Sequence, residues 1–79
     1  MNQQPIGIIG AMKMEVDAIL AAMEGKRQEV HGSMAFTAGT LSGVPCVAVQ
    51  CSPGKVNAAL CTQALVDFFS PRLVLNLGV

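Results

Sequence analysis

The sequence has no tryptophan, no tyrosine and three phenylalanines, and only 13% of it is charged. Five basic residues balance five acidic ones, giving a formal net charge of zero, and Lys26-Arg27 is the one adjacent basic pair. Without a basic run or patch there is nothing to track a phosphate backbone or an anionic membrane surface, so neither nucleic acid nor membrane is an expected partner. No apolar run is long enough to span a bilayer. Met1-Asn2-Gln3-Gln4-Pro5 lacks the basic-then-apolar build of a signal peptide. The expected location is therefore the cytoplasm.

Cysteine is also sparse. Cys46, Cys51 and Cys61 make an odd set without metal-ligand spacing, and each falls in a predicted strand, strand end or helix. They are expected to be buried free thiols rather than a disulfide or a zinc site. Gly54-Lys55-Val56 superficially resembles a phosphate loop, but the spaced upstream glycine and the Ser or Thr after the lysine are missing, which argues against a nucleoside-triphosphate site. No metal and no cofactor is expected.

What the chain does have is apolar sequence: 52% of its 79 residues are hydrophobic. A chain this short buries only somewhat over 60% of its extended surface. So much apolar sequence suits part of a larger α/β sheet better than a self-sufficient miniprotein. Residues 1–79 are thus read as the N-terminal portion of a single α/β domain, truncated at its C-terminus.

Taken in order, the segment from Pro5 to Gly10 is apolar on both faces, as in an interior strand covered by helices on each side. A helix is expected from Ala11 to Glu24, with Gly25 as its stop. Lys26 to His31 reads as a polar, peripheral strand, and His31 as a strand-end or loop histidine rather than a catalytic base. Ser33–Leu41 alternates with a period of two, Val44–Gln50 resumes the strand pattern, and Ser42-Gly43 between them predicts an antiparallel hairpin. Pro45 is tolerable near the start of its strand. A second helix from Gly54 to Phe69 is apolar over most of its circumference, which predicts cover on more than one side. After Ser70-Pro71, Arg72–Val79 reads as a buried parallel strand. The fold class is α/β, a mixed central sheet of about five strands flanked by two helices, with the first, fourth and fifth strands interior.

Glu15 is the candidate catalytic residue. At about 100° per residue, Met12, Val16, Ile19, Leu20 and Met23 fall in a sector about 80° wide that would pack on the sheet, and Glu15 lies at its margin, roughly 60° from Met12. Near a helix N-terminus the dipole and free N–H groups favour an anion. The position also lies just beyond the carboxyl end of a strand, where open α/β sheets bind ligands. A half-sheltered carboxylate there can serve as a general base. The alternative is an ordinary first-turn glutamate that complements the dipole.

Gly7-Ile8-Ile9-Gly10-Ala11-Met12, two residues, then Glu15-Val16 resembles the N-terminus of bacterial methylthioadenosine/S-adenosylhomocysteine nucleosidases, in the purine nucleoside phosphorylase superfamily. The hairpin around Ser42-Gly43 is similar to that family's hairpin at the same distance. Ser52-Pro53-Gly54-Lys55-Val56-Asn57-Ala58-Ala59 is similar to its Ser-Gly-Ile-Gly-Lys-Val-Asn-Ala-Ala segment, and Leu75-Asn76-Leu77-Gly78 to the strand before its Gly-rich substrate loop. These matches span nearly the whole chain but about the first third of a family member.

The resemblance implies the nucleoside phosphorylase/nucleosidase fold and hydrolysis of the N-ribosyl bond of 5'-methylthioadenosine and S-adenosylhomocysteine, releasing adenine in methionine salvage. It implies that Glu15 deprotonates the attacking water and that Ala11 and Met12 line the ribose side of the pocket. Pro53 stands where the family usually has a substrate-contacting isoleucine, and Ser52 where it has a glycine. The partners implied are a small nucleoside and water, in a homodimer. The leaving-group acid, the ribose-binding glutamate and the Gly-rich loop would lie beyond Val79, so the chain alone is expected to be inactive. The alternatives are a phosphorylase of the same superfamily, in which phosphate replaces water, and a non-catalytic α/β fragment. Glu15 favours the hydrolase, because a carboxylate would repel a phosphate dianion in the same place.

Overall fold

The computed structural model describes residues 4–10, 12–31, 34–51 and 55–77, the last segment with side chains from residue 59. The elements run β1 (Ile6–Gly10), α1 (Lys13–Ala22), β2 (Glu24–His31), β3 (Met34–Leu41), β4 (Val44–Gln50), α2 (Lys55–Phe69) and β5 (Leu73–Leu77). They build one mixed sheet in the order β2-β3-β4-β1-β5. β4, β1 and β5 are parallel, and β2, β3 and β4 are antiparallel. This is the mixed α/β sheet expected from the alternation of apolar strands with helical segments.

Both faces of β1 are buried, and its alternation divides the core. Ile8 packs with Met23, Cys46 and Ala48 on the side of α1, joined by Ile19 and Leu20. Ile9 packs with Phe36, Val47, Val49 and Leu65 on the side of α2. Because successive strand residues point to opposite faces, one uninterrupted apolar strand serves both layers.

The hairpin forms as its dipeptide predicts. Ser42 (φ 50°) and Gly43 (φ 80°) both adopt positive φ, the geometry that matches the twist of paired antiparallel strands. Leu41 then pairs with Val44, and Pro45 with Thr40.

Four expectations are corrected. First, α1 ends at Ala22 rather than Glu24, because Met23 turns extended and its N–H donates to the carbonyls of Ile19 and Leu20. Gly25 is consequently no helix stop. Its φ of 63° falls inside β2, where the pairing with β3 shifts register between Glu24 and Arg27, a bulge that only a residue tolerant of positive φ accommodates easily.

Second, β5 is an edge strand rather than an interior one: it pairs with β1 alone, and Leu73 and Leu75 are exposed. An all-apolar strand reads as buried, but burial needs a neighbour on each side, and among the described residues β5 has one. Third, α2 is covered on one side only over its described side chains, from residue 59 on. Cys61 and Leu65 are buried, while Leu60, Val66 and Phe68 are exposed. Fourth, Cys46 is a buried free thiol as expected, but Cys51 and Cys61 are joined in a disulfide with a Cα–Cα separation of 6.5 Å. The fold brings the end of β4 against α2, a proximity invisible in the spacing.

β2 is peripheral, at the sheet edge. His31 ends it, stacked on Phe68 with ring centroids 3.9 Å apart and 3.2 Å from the Glu29 carboxylate. Among the described residues no helix is long and apolar enough to cross a membrane.

Candidate functional site

The carboxyl ends of the three parallel strands lie side by side. Gly10 is in register with Gln50 of β4 and with Leu77 of β5, and the Cys51 N–H extends the ladder by donating to the Gly10 carbonyl at 2.8 Å. In open α/β sheets this end of the parallel strands is where ligands are held.

α1 rises from that end because Gly10 has no side chain. Val16, in the first turns of the helix, packs over the Gly10 Cα, and a Cβ built there would collide with the Val16 Cγ2. The close approach fixes where α1 starts relative to the strand end. Met12 is its N-cap, with extended backbone (φ −101°, ψ 126°), and its carbonyl accepts the Val16 N–H at 3.2 Å. Among the described residues no side-chain hydrogen bond caps this terminus, where the first N–H groups of a helix favour an anion or polar ligand.

Glu15 is the acidic residue of the first turn. It is exposed, not half-sheltered: it sits on the flank of α1, and no described element closes over that flank. The neighbouring cation is already engaged, since Lys13 Nζ lies 2.7 Å from the Asp17 carboxylate one turn on. Met12 is likewise exposed, at 56%, and does not join the packed stripe. As the N-cap it precedes the helix, so its side chain leaves the helical stripe that Val16, Ile19, Leu20 and Met23 maintain. Glu15 and Met12 thus share the rim at the carboxyl end of β1. Ala11 and Pro53 fall outside the described residues.

The Cys51–Cys61 bond beside Gly10 is a neighbour of the site that sequence reasoning missed. One signal was there: Cys51 has the same strand parity as Val47 and Val49, which places it on the α2 face. An open groove of about 430 Å³, lined by residues that include Pro5, Arg27, Glu29, Pro45 and Phe68, lies at the opposite, amino end of β1 and β4.

Residues 5–79 match the family model described as the phosphorylase superfamily. A 5'-methylthioadenosine/S-adenosylhomocysteine nucleosidase of Geobacillus kaustophilus is 44% identical over 71 residues, which are 90% of this chain and 30% of that protein. Among solved structures, the Colwellia psychrerythraea nucleosidase in complex with adenine superposes with a TM-score of 0.90 at 37% identity, covering 95% of this chain and 31% of that one. The Neisseria meningitidis nucleosidase in complex with methylthio-immucillin-A gives 0.90 at 31% identity, covering 95% and 32%. A futalosine hydrolase of Helicobacter pylori gives 0.85 at 29% identity, covering 98% and 34%. The chain therefore spans about a third of the length of the proteins it resembles. With its β1–α1 rim, its parallel β4-β1-β5 strands and a family match from residue 5 to 79, the chain belongs to the phosphorylase superfamily.

Proposed function

We propose that this chain forms the water-activating side of a nucleosidase that hydrolyses the N-ribosyl bond of 5'-methylthioadenosine and S-adenosylhomocysteine, in the cytoplasm and as a homodimer. The observation that carries the reading is the placement of Glu15 in the first turn of α1, at the carboxyl end of β1. It stands within a chain 44% identical over its matched length to a nucleosidase of that specificity.

Cleavage of an N-ribosyl bond passes through an oxocarbenium-like state. It needs an activated water on one face of the sugar and a protonated leaving base on the other, as in inverting glycosidases. Glu15 accepts the proton of the attacking water. Ala11 and Met12 border the ribose, and Pro53 forms part of the substrate wall. The acid that protonates adenine and the groups that hold the ribose hydroxyls come from outside these 79 residues. Exposure of Glu15 in this chain fits that division, because the opposing wall of the pocket belongs to the remainder of such a protein.

A second reading, hydrolysis of futalosine, is favoured by the similarity to the Helicobacter pylori enzyme; phosphorolysis is the third, from the superfamily itself. A protein that carries this sequence as its N-terminal part is assayed with methylthioadenosine, adenosylhomocysteine and futalosine, each with and without phosphate. Phosphate-independent adenine release from the first two, lost in Glu15→Gln, is the expected result. Turnover only with phosphate, or only of futalosine, would overturn it.

A further inference from the structure

The three cysteines are not equivalent, and strand geometry separates them. Cys46 and Cys51 lie five residues apart along β4 and its extension. An odd separation in a strand sends side chains to opposite faces. Cys46 accordingly packs in the α1-side cluster with Ile8, Met23 and Ala48, its Sγ directed at the Val44 carbonyl 3.4 Å away. Cys51 and Cys61 pack in the α2-side cluster with Ile9, Val49 and Leu65, and they are bonded to one another. The sheet itself thus stands between the free thiol and the bonded pair.

We propose that Cys51 and Cys61 are a reversible thiol–disulfide pair, a redox-responsive clamp that fastens the carboxyl end of β4 to α2 beside Gly10. The Cys51 N–H is bonded to the Gly10 carbonyl, so the cross-link bears directly on the rim from which α1 rises. Its Cα–Cα separation of 6.5 Å lies within the range that a disulfide spans. The sequence separation is ten residues, and this stretch holds the whole β4–α2 connection. A loop that short is closed with a modest gain, so reduction releases the Cys51 end of β4 from Cys61 of α2 and leaves the core around Ile9, Phe36 and Leu65 assembled. Each cysteine is 4% exposed, so exchange proceeds through local opening at Cys51 and Cys61 rather than through global unfolding.

The chemistry needs a low-molecular-weight disulfide, such as glutathione disulfide, as oxidant. One cysteine thiolate attacks it, a mixed disulfide forms and one small thiolate leaves. The second cysteine thiolate attacks the protein-bound sulfur and expels the other. Two protein thiols and one small disulfide become one protein disulfide and two small thiols, and the reverse sequence opens the clamp. Cys46, on the opposite face, is kept out of the exchange, so the pair closes without scrambling. The clamp stands on the cysteine geometry alone and is independent of the nucleosidase reading.

The test equilibrates a protein that carries this sequence as its N-terminal part in glutathione buffers from fully reduced to fully oxidised, quenches with acid, alkylates under denaturing conditions and maps Cys46, Cys51 and Cys61 by mass spectrometry. The expected result is a reversible change from all three of these cysteines alkylated to one, the remaining one being Cys46, with Cys51–Cys61 as the sole cross-link among them. Cys46→Ser should then change from two to none. Amide exchange at Cys51 should slow on oxidation, by up to about 100-fold. Cross-links to Cys46, no intramolecular bond in any buffer, or a bond that survives excess dithiol would each overturn the proposal. Unchanged exchange at Cys51 would overturn the clamp.

Discussion

The Val16 side chain occupies the space above the Gly10 Cα, so that residue 10 can carry no Cβ without a collision at Cγ2. The helix start and the strand end are thereby locked together, and with them the place of Glu15. Gly10→Ala should destabilise the chain by about 1–3 kcal/mol, the usual cost of forcing a group into a packed contact. Urea unfolding of the single variant and of Gly10→Ala with Val16→Ala checks this. The second substitution should recover part of the loss, and strictly additive effects would refute the contact.

Leu65 is fully buried at the centre of the α2 face. Leu65→Ala should cost about 2–5 kcal/mol, which is comparable with the total stability of a small domain. Circular dichroism is expected to show the variant largely unfolded at 37 °C. Val66→Ala on the exposed side of the same helix should lie within about 0.5 kcal/mol of the parent.

At the hairpin, Gly43 has a φ of 80°, a conformation costing an L-residue about 1–2 kcal/mol. Gly43→Ala is expected to lower the unfolding midpoint accordingly. Ser42→Asn, which suits the first position of this turn, should raise it slightly. If both variants melted with the parent, the turn geometry would be wrong.

Glu15 should matter to chemistry and hardly to folding. Being exposed, it contributes at most about 1 kcal/mol through the helix dipole. In a longer protein carrying this sequence, Glu15→Gln should reduce adenine release about 10²- to 10⁴-fold, the typical worth of a general base. Equal losses of activity and stability would indicate a structural role instead.

By itself the 79-residue chain should release no adenine from methylthioadenosine and should self-associate. Leu73 and Leu75 are 52% and 44% exposed on an edge strand, and Leu60 and Phe68 of α2 are exposed elsewhere on the surface; an apolar edge with zero formal net charge invites pairing. Size-exclusion chromatography should show oligomers at neutral pH, shifted toward monomer by Leu73→Lys with Leu75→Lys. A sharp monomer peak for the parent would refute the association, and turnover abolished by Glu15→Gln in the isolated chain would refute the inactivity.

The local rules written into the chain determined most of its elements. The apolar run Ile6–Gly10, the alternation of Met34, Phe36 and Ala38, the Ser42-Gly43 turn and the Ser70-Pro71 break identify strands, hairpin and helix end, because each is a short-range matter of periodicity and allowed φ. The position of Glu15 just past β1 was legible for the same reason. Tertiary structure decided the rest. β5 is as apolar as an interior strand, yet only the pairing order places it at an edge. Gly25 follows a helical stretch, yet pairing with β3 makes it a bulge instead of a cap. Cys51 and Cys61 read as separate thiols, and only the packing of α2 across the end of β4 brings them within bonding distance. Burial, register and cross-linking depend on which distant residues meet, a property of the assembled sheet that no local spacing encodes.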